Sequence, residues 1–141
     1  MTDRRILLDT GPLVALFTAT DSYHRLCVDT FASLPPPLFT CWPVLTEAAW
    51  LLRKQHRPLD RIAAARDAVV FELMPLEGDS LTDIAAIMRR YESAGLQFAD
   101  AALAHLAERE NIGTVFTTDR RDFSIIRLTR NRTLRLIPDI P

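Results

Sequence analysis

Short apolar runs alternate with longer segments of helical periodicity along this chain of 141 residues. The short runs are apolar or β-branched throughout, which is typical of strands buried on both faces of a parallel sheet. The pattern predicts strands at 5–8, 38–41, 73–76, 113–117 and 133–137. The helices between them are predicted at about 12–18, 22–33, 43–55, 60–71, 80–93 and 97–110. Alternation of this kind predicts an α/β fold, a mostly parallel five-stranded sheet with helices on both sides.

The predicted helix at 43–55 is apolar over more than half of its circumference. One side of such a helix faces the core, and the rest of its apolar surface must be covered by another contact. Either other helices of the same domain enclose it, or it contacts a partner protein with Trp50 as the anchor. Periodicity leaves both interpretations open.

Composition limits the class of protein. Apolar residues make up 48% of the chain, so it should fold, and its length suits one domain over residues 1–141. The apolar stretch before Asp9 is too short for a signal peptide, and no segment is long enough to span a membrane. The spacing of Cys27 and Cys41 does not match a metal site, so we interpret both as reduced thiols of a cytoplasmic protein.

The net charge is only −1, which excludes a uniformly polycationic protein. The charge is nevertheless uneven along the chain. Residues 120–141 carry six arginines and two aspartates, a net of +4, whereas residues 1–119 carry 11 basic and 16 acidic residues, a net of −5. The basic tail directly follows Asp119, so a polyanion can be held beside an acidic centre.

Four carboxylates stand out by position. Asp9 and Asp119 each follow a predicted strand, where open α/β sheets place their ligands. Glu47 and Asp100 lie in predicted first turns of helices and interrupt apolar faces. Each acid alone has a structural explanation as a helix cap, a dipole partner or a turn residue.

The acids taken together, and not any single one, indicate a catalytic site. Carboxylates in apolar surroundings raise each other's pKa, and a divalent cation removes the repulsion. A metal-bound water can then attack a phosphodiester. Arg120 and Arg121 are candidates to hold phosphates of a polyanion at this centre or to balance the charge of the carboxylates. Arg127 begins a further basic stretch that either contacts phosphates or forms a solvated rim. His24 is expected in a solvated loop, and His56 and His105 on exposed helix surfaces.

Four segments, taken together and in this order, resemble the PIN domain family, most closely the VapC-type toxins of bacterial toxin–antitoxin pairs. The resemblance covers nearly the whole chain. The segments run from Ile6 to Phe17, Leu45 to Ala48, Phe98 to Leu103 and Phe116 to Phe123.

The resemblance implies a three-layer α/β/α fold and a ribonuclease that depends on Mg²⁺ or Mn²⁺. It also implies an RNA substrate, inhibition by a small antitoxin protein, and a homodimer. Gly11-Pro12 departs from the family pattern, and this departure removes one side-chain ligand from the implied metal site. The matching site positions are Asp9, Glu47, Asp100 and Asp119, with Asp122 as a further acid and Thr118 and then Thr10 as supporting hydroxyls.

Two other functions are compatible with the residues. One is a phosphatase of the haloacid-dehalogenase type with Asp9 as nucleophile. That chemistry favours a second acid two residues later, where this chain has Gly11, and a nearby lysine, although the only lysine is Lys54. The other is a catalytically silent interaction module whose acids are structural and whose Trp50 helix recruits a partner.

Overall fold

Residues 4–140 are described by a computed structural model of the chain. The strands are β1 (Leu7–Leu8), β2 (Leu38–Thr40), β3 (Phe71–Leu73), β4 (Thr114–Phe116), β5 (Arg127–Leu128), β6 (Arg132–Thr133) and β7 (Arg135–Ile137). The α-helices are α1 (Thr10–Leu16), α2 (His24–Ser33), α3 (Trp42–Leu51), α4 (Pro58–Asp67), α5 (Ser80–Arg90), α6 (Phe98–Glu110) and α7 (Arg120–Ser124).

Five strands form one parallel sheet in the order β3-β2-β1-β4-β7, so β1 is central. Successive side chains of β1 point to opposite faces. Leu7 packs with α5 and α6 through Ile84 and Leu103, whereas Leu8 packs with α1 through Leu13. Apolar cores on both faces of the sheet confirm the predicted three-layer α/β/α arrangement.

The third strand lies earlier than predicted, at Phe71–Leu73 instead of 73–76. Helix α4 accordingly ends at Asp67 and does not reach residue 71. Val69 has a φ of 63°, a left-handed conformation that stops the helix and is rare for a β-branched residue. Pro75 has no backbone N–H to extend the ladder, so the strand ends before it.

The tail after Asp119 is more divided than predicted. The short helix α7 was not predicted, and the predicted strand at 133–137 contributes to both β6 and β7. Strands β5 and β6 form an antiparallel hairpin. The reversal uses positive φ angles at Arg130 (66°) and Asn131 (58°). No glycine marks this turn, so the usual sequence signal for a tight hairpin was absent.

Helix α3 has one buried and one exposed face. Val44 and Ala48 are fully buried, whereas Trp42 and Trp50 are each 63% exposed. The interpretation of a helix enclosed by its own domain is therefore wrong for the Trp50 face.

Both cysteines are buried free thiols, as expected. Within residues 4–140, no helix has the length and apolar character needed to cross a membrane.

Candidate functional site

Asp9 lies between β1 and α1 at the carboxyl end of the central strand. Its backbone N–H donates to the Phe116 carbonyl oxygen at 3.0 Å, and only 5% of the residue is exposed. The Thr117 hydroxyl donates to Asp9 Oδ2 at 2.7 Å. Burial raises the Asp9 pKa to about 6; the Thr117 hydroxyl and the Thr10 amide oppose this rise, and Glu47 and Asp119 add to it.

Thr117 is a site residue that the sequence analysis missed. Its hydroxyl also accepts the Asp119 backbone N–H at 2.9 Å, so it links two of the predicted acids. The strand register explains this position, because Leu8 pairs with Phe116 and Asp9 therefore lies opposite Thr117. That register could not be read from the sequence.

Thr118, which was predicted to support the site, packs against Gly11. A Cβ at position 11 would collide with the Thr118 hydroxyl. Gly11 therefore permits close packing between the start of α1 and the segment that follows β4.

Glu47 lies in the second turn of α3, because the helix begins at Trp42. The prediction of a first-turn position was wrong, so capping and the helix dipole do not explain this acid. Glu47 is half-buried. Burial raises its pKa, the Thr10 hydroxyl opposes that change, and Asp119 adds to it.

Asp100 lies in the first turn of α6, as predicted. Its Oδ2 accepts the Gln97 backbone N–H at 3.2 Å, so this acid does help to cap the helix. Burial raises its pKa to about 7, with further contributions from Asp9, Asp122 and Glu47. A capping role alone favours the ionised form, so the raised pKa reflects its acidic and apolar surroundings.

Asp119 and Asp122 lie together at the start of α7. The Asp122 backbone N–H donates to Asp119 Oδ1 at 3.3 Å, so Asp119 caps this short helix. Asp119 is exposed and Asp122 is half-buried. Burial raises the Asp122 pKa, and Asp119 adds to it through a side-chain hydrogen bond and its charge, while Arg121 opposes the change.

The structure brings all five predicted acids into one electrostatically connected group. None of the residues that shift the pKa of Asp9, Glu47 or Asp100 is a cation. In the described part of the chain, however, no three His, Cys, Asp or Glu side chains converge closely enough to hold a metal ion.

The donor set nevertheless suits a hard cation such as Mg²⁺, which prefers oxygen ligands and takes only one or two carboxylates directly, with waters completing its shell. The Thr10 hydroxyl adds another oxygen to this region. It is buried without a well-formed hydrogen bond among the described residues, although it lies close enough to Glu47 to affect that acid's pKa. The residues therefore fit a divalent cation in chemistry, while the ligand shell is not preassembled.

The three predicted RNA-binding arginines have different surroundings. Arg120 donates from Nη1 to the Pro138 carbonyl oxygen at 2.7 Å, which ties α7 to the end of β7. Arg121 is exposed and close enough to Asp122 to affect its pKa. Arg127 donates from Nη1 to the Ser124 carbonyl oxygen at 2.8 Å and lines a separate cleft.

That cleft has a volume of about 740 Å³ and lies between α5, α6 and residues 126–129. None of the five acids lines it, so we do not assign it as the candidate active site. His105 lines it and is only 8% exposed, contrary to the prediction of an exposed helix residue. Burial, and then Arg109, lower the His105 pKa.

The other two histidines are separate from the acids. His56 is exposed, as predicted, but lies between α3 and α4 and not on a helix. His24 begins α2, half-buried, with Nδ1 at 2.7 Å from the Ala15 carbonyl oxygen. The prediction of a solvated loop histidine was therefore wrong.

Comparisons with known proteins agree with this fold. The family model described as the PIN domain matches residues 6–128. Ribonuclease VapC26 of Mycobacterium tuberculosis is 27% identical over 135 residues, which cover 94% of this chain and all of the relative.

Two solved structures are similar in fold. The crystal structure of Mycobacterium tuberculosis VapC20, titled a Sarcin-Ricin loop cleaving toxin, has a TM-score of 0.75 and 25% identity and covers 83% of this chain and 92% of its own. A toxin–antitoxin complex from Klebsiella pneumoniae has a TM-score of 0.66 and 21% identity, and the match covers 86% of this chain and 92% of that chain. At that identity, the second match supports the fold alone.

Proposed function

This chain belongs to the PIN domain family, and we propose that it is a metal-dependent endoribonuclease acting as the toxin of a toxin–antitoxin pair. The observation that carries the proposal is the buried Asp9 carboxylate, which Thr117 holds and which interacts electrostatically with Glu47, Asp100 and Asp119. Such a group is costly to bury without a cation. The names of VapC26 and VapC20, a ribonuclease and an RNA-cleaving toxin, support the same function.

Within this proposal, the metal ligands come from Asp9, Glu47, Asp100, Asp119 and Asp122. A divalent cation such as Mg²⁺ or Mn²⁺, held by these residues, would supply a water of lowered pKa and would offset negative charge on the scissile phosphate. Thr117 holds Asp9 in one orientation through its 2.7 Å hydrogen bond. Arg121, exposed beside the acids, is available to bind a substrate phosphate.

The two alternatives are less well supported. An acid at position 11 would be needed for the phosphatase, yet Gly11 packs so closely on Thr118 that even a Cβ does not fit. A silent module would need structural roles for the acids. Asp100 and Asp119 have such roles as caps, whereas Asp9 makes no side-chain capping bond to α1 and Glu47 lies beyond the first turn of α3.

The proposed partners are a small antitoxin protein and a second copy of this chain, in the cytoplasm where the RNA substrate is found. Three large apolar side chains of α3, Trp42, Trp50 and Leu51, are exposed and support protein contact. Co-purification with the product of a small neighbouring gene, and the mass of the purified chain in solution, test these two partners separately. A monomer at high concentration would contradict the homodimer.

We propose that residues 1–141 form a single PIN domain. The sheet supports this extent because β7, at Arg135–Ile137, lies beyond the matched range and pairs with β4 inside it.

Glu47→Gln is the sharpest test of the metal-dependent site. This change keeps the size of the side chain and removes its charge, and no cap is lost because Glu47 lies in the second turn. We expect RNA cleavage in Mg²⁺ or Mn²⁺ to fall by about 100-fold or more, since the loss of one electrostatic contribution to a catalytic site is typically of that size. EDTA should abolish cleavage by the wild-type protein, and added Mn²⁺ should restore it.

Glu92→Gln is the matched control, because Glu92 is exposed in a 3-10 turn at Glu92–Ala94. Its cleavage rate should equal that of the wild type. Full activity of Glu47→Gln, or undiminished wild-type cleavage in EDTA, would overturn the proposed site or its metal dependence respectively.

A further inference from the structure

The arginines of the tail lie at two ends of the sheet. Asp100 lies in the first turn of α6 and Asn111 just after its end, a separation of about 16 Å at a rise of about 1.5 Å per residue. Arg132 donates from Nη1 to Asn111 Oδ1 at 2.5 Å. Arg135 begins β7 and pairs with Thr114 at the start of β4. Arg132 and Arg135 are therefore at the end of the sheet opposite the acids.

The acids at this far end already have partners. Glu110 accepts from Arg5 Nη1 at 3.2 Å and from Arg109 Nε at 2.9 Å. Glu108 accepts the Thr129 backbone N–H at 3.0 Å. Hydrogen bonding to Thr129 is the main reason that the Glu108 pKa is lowered. Glu110 is therefore already paired with two arginines, and among residues 4–140 neither glutamate forms an ion pair with Arg130 or Arg135.

Arg130 and Arg135 supply the surplus positive charge. Both are exposed, and within residues 4–140 neither side chain has a hydrogen bond or an ion pair. Arg132, on the same hairpin as Arg130, donates to the Thr129 carbonyl oxygen and to the neutral Asn111 side chain, so it adds a further positive charge at this end. Such a surface attracts a polyanion without reading sequence.

Arg130 also has an unfavourable backbone conformation. Its φ of 66° lies in the left-handed region, where glycine or asparagine is normally preferred. A charged side chain kept at such a position, at the tip of a hairpin, is better explained by the function of that side chain than by the turn.

We infer that Arg130 and Arg135 bind phosphates of the same RNA that is cut at the carboxylates, and so act as a distant anchor for the substrate. This inference rests on the proposed function. Strand β7 is an edge strand and joins the two ends: Arg135 begins it, and Arg120 is tied to Pro138 just beyond it. The three residues of β7 span about 10 Å, a distance that an RNA chain following this edge covers with a few nucleotides.

The test measures RNA binding by full-length protein carrying Asp9→Asn, so that no RNA is cut. The double change Arg130→Asn/Arg135→Gln is added; asparagine suits the left-handed position, so the fold should not weaken. The probes are a single-stranded RNA extending at least about 16 Å beyond the acids and a shorter one that cannot reach the hairpin. We expect about tenfold weaker binding of the long RNA, and a slope of the logarithm of affinity against the logarithm of salt concentration that is smaller by about 1.4, with no change for the short RNA.

The matched control is Arg57→Asn/Lys54→Gln. Arg57 is likewise an exposed arginine with positive φ, and it precedes α4, which packs on β3 at the other edge of the sheet. This control should bind both RNAs unchanged. The anchor would be overturned if the Arg130/Arg135 variant bound the long RNA as tightly as its Asp9→Asn parent. It would also be overturned if the variant lost affinity only for duplex DNA of the same length.

Failure of the anchor and failure of the proposed function are distinguishable. If the anchor is wrong, protein with Asp9 intact still cleaves RNA in Mn²⁺. If the ribonuclease assignment is wrong, no cleavage is seen in any variant.

Discussion

Asp9→Asn is expected to abolish RNA cleavage while leaving the metal-free protein as stable as the wild type or more stable. Asp9 is central in the proposed metal site, so its loss should cost about 4 kcal/mol of transition-state stabilisation, or roughly three orders of magnitude in rate. Asparagine keeps an oxygen that can accept the Thr117 hydroxyl, so the local structure should persist. It also removes a buried charge that Glu47 and Asp119 disfavour.

Two measurements separate the catalytic effect from the structural one. The cleavage rate is measured in Mn²⁺, and the free energy of unfolding is measured by urea denaturation in EDTA at neutral pH. We expect Asp9→Asn to gain about 1–3 kcal/mol in the second measurement, since one pKa unit corresponds to about 1.4 kcal/mol. Asp139→Asn, at an exposed position, is the control and should change neither quantity. Retained cleavage by Asp9→Asn would refute the proposed role of this residue.

The sheet could be predicted well because its strands are short, apolar and buried, so each leaves a local signal. Four of its five strands overlap their predicted ranges by most of their length. The boundaries that failed depend on backbone conformations without a sequence signal. Val69 and Arg130 adopt positive φ although valine and arginine disfavour it, so neither the early end of α4 nor the hairpin could be foreseen.

Four of the acids could be predicted as a set, because Asp9 and Asp119 follow strands and Glu47 and Asp100 interrupt apolar helix faces, whereas Asp122 was predicted only from the family resemblance. Their supporting contacts were not predictable, because those contacts depend on register between distant segments. Thr117 and Thr118 are adjacent in the sequence, yet only the pairing of β1 with β4 decides which hydroxyl faces Asp9. The position of Arg135 likewise follows from its pairing with Thr114, so the basic tail did not prove to be one continuous surface beside the acids.

The stability of the metal-free protein should fall as pH rises from about 4.5 to about 7.5. Asp9 and Asp100 have pKa values of about 6 and about 7 in the fold, against 3.8 for an unperturbed aspartate. Between these values the folded state binds more protons than the unfolded state, so ionisation destabilises the fold as pH rises. Glu47 and Asp122, whose pKa values are also raised, act in the same direction.

The expected loss is about 3–5 kcal/mol, less than the sum of the separate shifts because these carboxylates titrate together. Glu108 and Glu110 have lowered pKa values, so their contribution is lost as pH falls below about 4.5, outside this range, and both are too exposed to contribute much. Urea denaturation in EDTA at a series of pH values measures how the free energy of unfolding changes with pH.

Saturating Mn²⁺ should reverse much of the pH-dependent loss, because a cation that binds only the folded state at 100 times its Kd stabilises it by about 2.7 kcal/mol. The double variant Asp9→Asn/Asp100→Asn should lose most of the pH slope and of the response to Mn²⁺. Its asparagines can still accept the bonds from Thr117 and Gln97, so the structure around them should be retained. A wild-type profile in EDTA that is flat over this range would show that the five acids do not repel one another as the structure indicates.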